Sequence, residues 1–135
     1  MSEENIGTVR RILDAFERRD RAGIKAELDA DAAWYPALRG LTERSSYIGP
    51  EDICRFLLDE LDATLEGFRP EVVGEESVGD AMVLVAARFS GQSRSTGLPI
   101  EQVLFHLYRL RDRKIIEVRG FTSRDAALEA AGLSE

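Results

Sequence analysis

One cysteine and one histidine occur in 135 residues, and each scarcity excludes something. With Cys54 alone, no disulfide can form within the chain. The thiol follows the apolar Ile53 and has no second cysteine or histidine near it in sequence to activate it, so it reads as structural. His106 alone rules out a metal site built from histidines. The acidic clusters Glu3-Glu4, Glu75-Glu76 and Asp59-Glu60-Asp62 show no regular ligand spacing with a tight glycine turn, so neither a metal nor a cofactor is expected. A cationic excess is missing too: 18 Lys and Arg face 25 Asp and Glu, a net charge of −7. Nucleic acids and anionic membrane surfaces are held by clustered basic residues, so neither is an expected partner. No stretch approaches the roughly 20 apolar residues that span a bilayer. No apolar run follows the charges of MSEENIGTVRR, so no secretory segment is expected, and the chain reads as cytoplasmic. Serine-nucleophile motifs, glycine-rich phosphate loops and fixed-period repeats are also missing, and the 91–97 segment GQSRSTG precedes no helix and reads as a hairpin loop.

What is present suits a single folded domain over 1–135. Hydrophobic residues make up 44% and charged residues 32%, and the length allows about two-thirds of the unfolded surface to be buried. Ile6, Val9, Ile12, Leu13 and Phe16 recur at helical spacing, which predicts an amphipathic helix over 4–19. Asp20 caps a second short helix with Ile24 and Leu28 inward, ending in a turn at 29–31. Gly49-Pro50-Glu51-Asp52 starts a third helix over 50–66, with proline where its missing N–H costs nothing and two carboxylates beside the positive end of the helix dipole. From residue 68 the period falls towards two, which predicts four antiparallel strands at 70–77, 81–90, 100–111 and 114–122. Met82 to Ala87 and Val103 to Leu107 are apolar on both faces, so both faces of the mid-sheet must be covered. Helices can cover one face. A second subunit is expected over the other, with Met82, Leu84 and Ala86 facing it in a homodimer. Ser123 opens a short C-terminal helix that Gly132 terminates.

Four stretches, DADAAWYPAL at 29–38, GPEDI at 49–53, FHLYRLRDRKIIEVRGF at 105–121 and SRDAALEAAGL at 123–133, come in an order that resembles the SnoaL-like branch of the nuclear transport factor 2-like superfamily. The resemblance spans nearly the whole chain. It implies an α+β fold in which a curled antiparallel sheet forms a cone around three helices, with a short C-terminal helix. It also implies a pocket for a small hydrophobic molecule and dimers formed through the outer sheet face. The same scaffold carries isomerases, polyketide cyclases, epoxide hydrolases, dehydratases and proteins without known chemistry, so function has to be argued from the site. Matched residue by residue, the carboxylate base of the ketosteroid isomerase branch falls on Tyr35, a poor proton acceptor at neutral pH. Its oxyanion-donating tyrosine falls on Ile12, and its protonated acid falls on His106. The cyclase aspartate falls on Gly120, which, lacking a side chain, is expected to widen the pocket and let a ligand or backbone approach closely, or else to mark a bend. No aspartate lies in a strand interior beside Arg88, Arg109 or Arg119, so the Asp-Arg-Asp set of the epoxide hydrolases cannot be assembled.

His106 is the main candidate. It shares a strand face with Leu104 and Tyr108 by alternation, and an imidazole in an apolar cavity can donate to a ligand oxygen or accept its proton. A histidine satisfied within the core is the other reading. Trp34 and Tyr35 form an aromatic pair at the expected rim, which core packing explains equally well. Gln102 falls on the face of His106, and Glu60 lies on the stripe of Ile53, so each is a candidate polar contact. Leu57, Leu104, Ile116 and Val118 supply the aliphatic lining around Tyr108 and Gly120. Three functions fit: a pocket protein that binds a small apolar ligand, an isomerase-, cyclase- or dehydratase-type enzyme with His106 as acid-base and Tyr35 polarising an oxygen, and a dimeric interaction protein.

Overall fold

The structure is a computed structural model that describes residues 2–38 and 44–132. Helix α1 (Ser2–Glu17) buries Val9, Ile12 and Phe16, as its apolar period requires. It stops where Arg19 takes a left-handed backbone, φ 58°. The guanidinium of Arg19 then donates to the carbonyls of Phe16 and Phe68 and pairs with Asp62 at 3.0 Å, tying the end of α1 to two other elements. Asp20 caps α2 (Arg21–Ala26) by accepting the Gly23 N–H at 3.0 Å.

The acidic 29–31 stretch is not a turn. It lies inside strand β1 (Leu28–Tyr35), where the Asp29 carboxylate accepts the Asp31 N–H and the register slips between Leu28 and Ala33. The local turn chemistry is real, but it makes a bulge. After β2 (Tyr47–Ile48), Gly49 at φ 90° and Pro50 open the third helix. It runs over Pro50–Cys54, through a π turn Arg55–Glu60, to Leu61–Thr64, and is called α3 as a whole. It passes without a loop into β3 (Leu65–Val78), which therefore starts earlier than its alternation suggests, and is followed by β4 (Met82–Ser93), β5 (Pro99–Arg111) and β6 (Lys114–Phe121). Helix α4 (Arg124–Ala130) is capped by the Ser123 hydroxyl and ends at Gly132, φ 85°. Leu133, the last residue of the tail motif, lies outside the described residues.

The α+β class is as expected, with two more strands than the alternation reveals. The open, curled sheet has the order β2-β1-β6-β5-β4-β3. Every neighbouring pair is antiparallel except β1 with β6, which run parallel, so the sheet is mixed. No helix among the described residues is long and apolar enough to cross a membrane.

The inner face packs on α1, α2 and α3 to form the main core. The outer face is partly covered by the chain itself. Helix α4 sets Ala127 and Leu128 on Val78, Leu84 and Leu107, forming a second small core with Met82, Phe105 and Phe121 at its margin. This corrects the assignment of Leu84 to a subunit interface: it does face outward, but it is 2% exposed within one chain. Its role is to hold α4. Leu84→Ala should therefore destabilise the protein by about 2–4 kcal/mol, the usual range for a buried leucine truncated without collapse of the site. The loss should be the same in urea denaturation at low and at tenfold higher protein concentration; a loss that shrinks on dilution would assign Leu84 to an interface after all.

Candidate functional site

A cavity of about 70 Å³ lies between the inner sheet face and the helices. The sheet supplies Trp34 from β1, Val85, Ala87 and Phe89 from β4, and Leu104, His106 and Tyr108 from β5. The period of two puts each of these on one face. Across from them stand Ile12, Leu13 and Phe16 of α1 and Phe56, Leu57 and Leu61 of α3. The π turn matters here. Its i→i+5 bonding widens the helix, and Phe56 and Leu61, five apart, line the cavity together with Leu57. Phe68 stacks on Phe89 at 5.2 Å between centroids, and Phe56 stacks on Tyr47 at 4.4 Å, so the aromatic lining is held from behind. Residues 36–38, directly after β1, form the remaining wall.

Three polar side chains interrupt this lining: Trp34, His106 and Tyr108. Their rings gather around the indole, with centroids 6.0 Å from Trp34 to His106 and 6.2 Å from Trp34 to Tyr108, while Phe89 presents its ring to His106 at 5.7 Å. They are 6%, 8% and 2% exposed, and none of their polar atoms hydrogen-bonds to another described residue or is fully occluded. Buried polar groups in folded proteins are nearly always partnered by protein or water. Three such groups at one cavity leave unmet hydrogen-bonding capacity there. Burial pushes the imidazole down from its ordinary range to about 4 and pushes the Tyr108 phenol up. At neutral pH the cavity thus presents a neutral imidazole, a neutral phenol and an indole N–H. Among the described residues no carboxylate lines it, and no group of His, Cys, Asp and Glu is placed to hold a metal ion.

Of the residues singled out from sequence, Trp34, Leu57, Leu104, His106 and Tyr108 meet at the cavity. Others are elsewhere. Tyr35 is the neighbour of Trp34 on a strand, so it points to the outer face, where the Arg119 guanidinium covers its ring at 5.2 Å. It cannot polarise a ligand in the cavity. Glu60 accepts the Tyr47 hydroxyl with both oxygens at 2.7–2.8 Å, behind the ring of Phe56. Gln102 is exposed where β5 runs past the cavity. Ile116 sits in a bulge between the Arg109–Glu117 and Leu110–Ile115 pairs, half-buried. Val118 is fully buried, paired with both Trp34 and Tyr108, and supports the two rings without lining the cavity.

At Gly120 the backbone approaches closely, as one reading of the sequence has it, and the pocket is not widened. It pairs with His106, and a Cβ placed on it would meet the Ala37 nitrogen at 2.6 Å. The missing side chain admits the 36–38 segment and narrows the cavity. Ile12 lines the cavity and brings no polar atom. Arg88, Arg109 and Arg119 pair on the outer face with Glu71 and Glu117. Phe16, Phe68 and Phe89 were not singled out from sequence; the helical stripe of α1 and the alternation from Val85 through Ala87 to Phe89 were the signals that could have found the first and the last.

Two outcomes follow from this geometry. His106 titrates near 6.5 when unfolded and near 4 when folded, so between those values the unfolded chain binds the extra proton. Stability is whole above about pH 6.5 and falls as the pH drops towards 4, by about 3 kcal/mol in all. Glu51 and Asp52, whose carboxyls are held low by Lys25 and Arg44, act largely below this window. Urea denaturation of wild type and His106→Gln from pH 4.5 to 7 should show a slope in the former that is absent in the latter; parallel curves would place the imidazole in a solvated setting. Second, Gly120→Ala should destabilise by about 1–3 kcal/mol through overpacking against Ala37, again by urea denaturation, and a neutral effect would show that the 36–38 wall yields freely.

Comparison with known proteins agrees with this architecture. The SnoaL-like domain pattern matches residues 9–118, and no curated protein matches the chain. A nuclear transport factor 2-like protein from Burkholderia thailandensis is 24% identical, with a TM-score of 0.79 over 94% of this chain and 96% of that one. A protein provisionally assigned as a polyketide cyclase, from Xanthomonas campestris pv. campestris, is 17% identical, with a TM-score of 0.72 over 95% and 96%. A protein of ketosteroid isomerase-like fold from Catenulispora acidiphila, solved in complex with trimethylamine, is 19% identical, with a TM-score of 0.73 over 93% and 92%. At these identities the solved structures share the fold alone. With the domain pattern matched over most of the chain, the protein belongs to the SnoaL-like domain family.

Proposed function

We propose that this protein binds a small, largely apolar molecule in the cavity between the sheet and helices α1 and α3. One observation carries the reading: an almost wholly apolar cavity holds three polar side chains that have no hydrogen-bond partner among the described residues. A core built only for stability would fill such a space or partner those atoms. The size favours a small ligand. An engineered cavity of about 150 Å³ accommodates benzene, and this one is about 70 Å³. The Catenulispora relative was solved with trimethylamine, a molecule of the same scale.

Binding is favoured over acid-base catalysis by the electrostatics. An imidazole that titrates near 4 keeps its nitrogen lone pair at neutral pH but is a weak proton acceptor. The enzyme reading keeps His106 as base, and it gives the polarising role to Tyr108 in place of Tyr35, because only Tyr108 lines the cavity.

Filling the cavity tests the proposal. Ala87→Val adds two methyl groups at a lining position, and it should raise the thermal midpoint or leave it unchanged while abolishing the response to small organic probes. The readout is the indole N–H resonance of Trp34, the chain's one tryptophan, during titration with probes of three to six heavy atoms. Saturable shifts in wild type that vanish in Ala87→Val support the cavity as the site. No shift in either protein, or equal shifts in both, would remove it.

A further inference from the structure

The polar atoms in the cavity restrict its ligand beyond size. Trp34 offers one N–H and no acceptor, and Tyr108 offers an O–H that can donate or accept. A neutral His106 offers one N–H and one bare nitrogen. Donors thus dominate, and an oxygen acceptor on the ligand would meet them. No charged side chain lines the cavity among the described residues. The side chains that reach the cavity from α1, α3 and β3 are hydrocarbon, as are those of 36–38 and β4; only Trp34, His106 and Tyr108 carry polar atoms. The groups facing His106 are Trp34 and Phe89 through their rings, with Val85 and Gly120 paired on the flanking strands. Among the described residues, Arg19 lies over the Phe16 ring and pairs with Asp62, and Glu60 accepts from the Tyr47 hydroxyl behind Phe56.

From this donor set and this lack of charge we infer that the ligand is an uncharged molecule of about three or four heavy atoms with a single acceptor oxygen, of the small ketone, aldehyde or ether class. Its oxygen accepts from Tyr108 and Trp34, and its hydrocarbon part fills the space among Phe16, Phe56 and Phe89. The aromatic lining admits one rival, a methylated ammonium held by cation–π contact. Such a cation has no acceptor, so it would leave the indole and phenol donors unmet, and it would be desolvated without a counter-charge among the described lining residues. A neutral acceptor answers both of those donors. The inference rests on the proposal that this cavity is the binding site.

Four probes of four heavy atoms each separate the possibilities: acetone, 2-methylpropene, acetate and trimethylammonium. They differ in oxygen and charge at nearly constant size. Each is titrated into wild type and Tyr108→Phe while the Trp34 indole N–H and the His106 ring resonances are followed, both unique in this chain. Tyr108→Phe removes only a hydroxyl that has no protein partner, and retention of the wild-type spectrum elsewhere shows that it folds. The expected result is saturable binding of acetone that weakens about fivefold to tenfold in Tyr108→Phe, the size of one net hydrogen bond. Binding of 2-methylpropene should be unaffected by that substitution, and the two ions should give no saturable shift at pH 7. The acetone affinity should also be flat between pH 5.5 and 8.5. Acetone and 2-methylpropene responding identically to Tyr108→Phe would overturn the acceptor requirement while leaving the cavity as the binding site. Saturable binding of acetate or trimethylammonium would overturn the charge requirement with the same consequence. If none of the four produced a saturable shift, the inference and the proposal beneath it would fall together.

Discussion

The parallel pairing of β1 with β6 is the contact on which the site depends. Without it, the segment that follows α1 and α2 would have no sheet to join, and Trp34 would have no fixed place. The junction is secured at its entrance, where the Ile115 N–H donates to the Glu27 carbonyl at 2.9 Å, and the pairing resumes after the bulge from Ala33 to Tyr35. Register then does the rest. Trp34 falls opposite Val118, which falls opposite Tyr108, and two residues along β6 Gly120 falls opposite His106. A slip of one residue would send Trp34 outward and bring Tyr35 in. The assembly of three polar rings around one cavity is therefore a consequence of strand register and not of any local motif.

Charge is segregated as strictly as register permits. Arg10 with Glu75, Arg18 with Asp14, Arg21 with Asp59 and Arg124 with Glu76 are all surface pairs, each of which contributes little to stability. The acidic balance of the sequence is spent on that surface. Inside, the polar groups are those that remain neutral at physiological pH, and burial keeps them so by holding the imidazole low and the phenol high. Each neutral group is tolerated in the interior only to the extent that something hydrogen-bonds to it. Stability and binding are thereby coupled, because whatever satisfies Trp34, His106 and Tyr108 removes a burden that the folded protein otherwise carries.

Much of this was legible in the sequence, and the exceptions have physical reasons. The α1 stripe, the Asp20 and Ser123 caps and the Gly49-Pro50 helix start are local signals, and the structure keeps them. β1 was hidden because two aspartates inside it carry turn chemistry, and a bulge uses the same side-chain-to-backbone bond as a turn. The coverage of the outer face by α4 was hidden because apolarity on both faces of β4 and β5 says that something must cover them, not what. At the site, alternation correctly grouped Leu104, His106 and Tyr108. It could not show where the cavity ends along the strand, so Gln102, on the same face, lies outside it. Tyr35 drew attention as half of an aromatic pair, but adjacent residues on a strand cannot share a face.

Gly120 shows how an absent side chain can decide a function. Read as a gap, it suggests a wider pocket; in the fold the gap is occupied by the backbone of Ala37. A side chain at this position would collide with Ala37, so an acid here and the close passage of residues 36–38 are alternatives in this chain. The chain has taken the second. Exclusion of water strengthens every hydrogen bond made inside, and it makes a charge there harder to sustain. The same packing that leaves no ionised group among the described lining residues leaves Trp34, His106 and Tyr108 as its polar groups, beneath residues 36–38 where they pass over a single glycine.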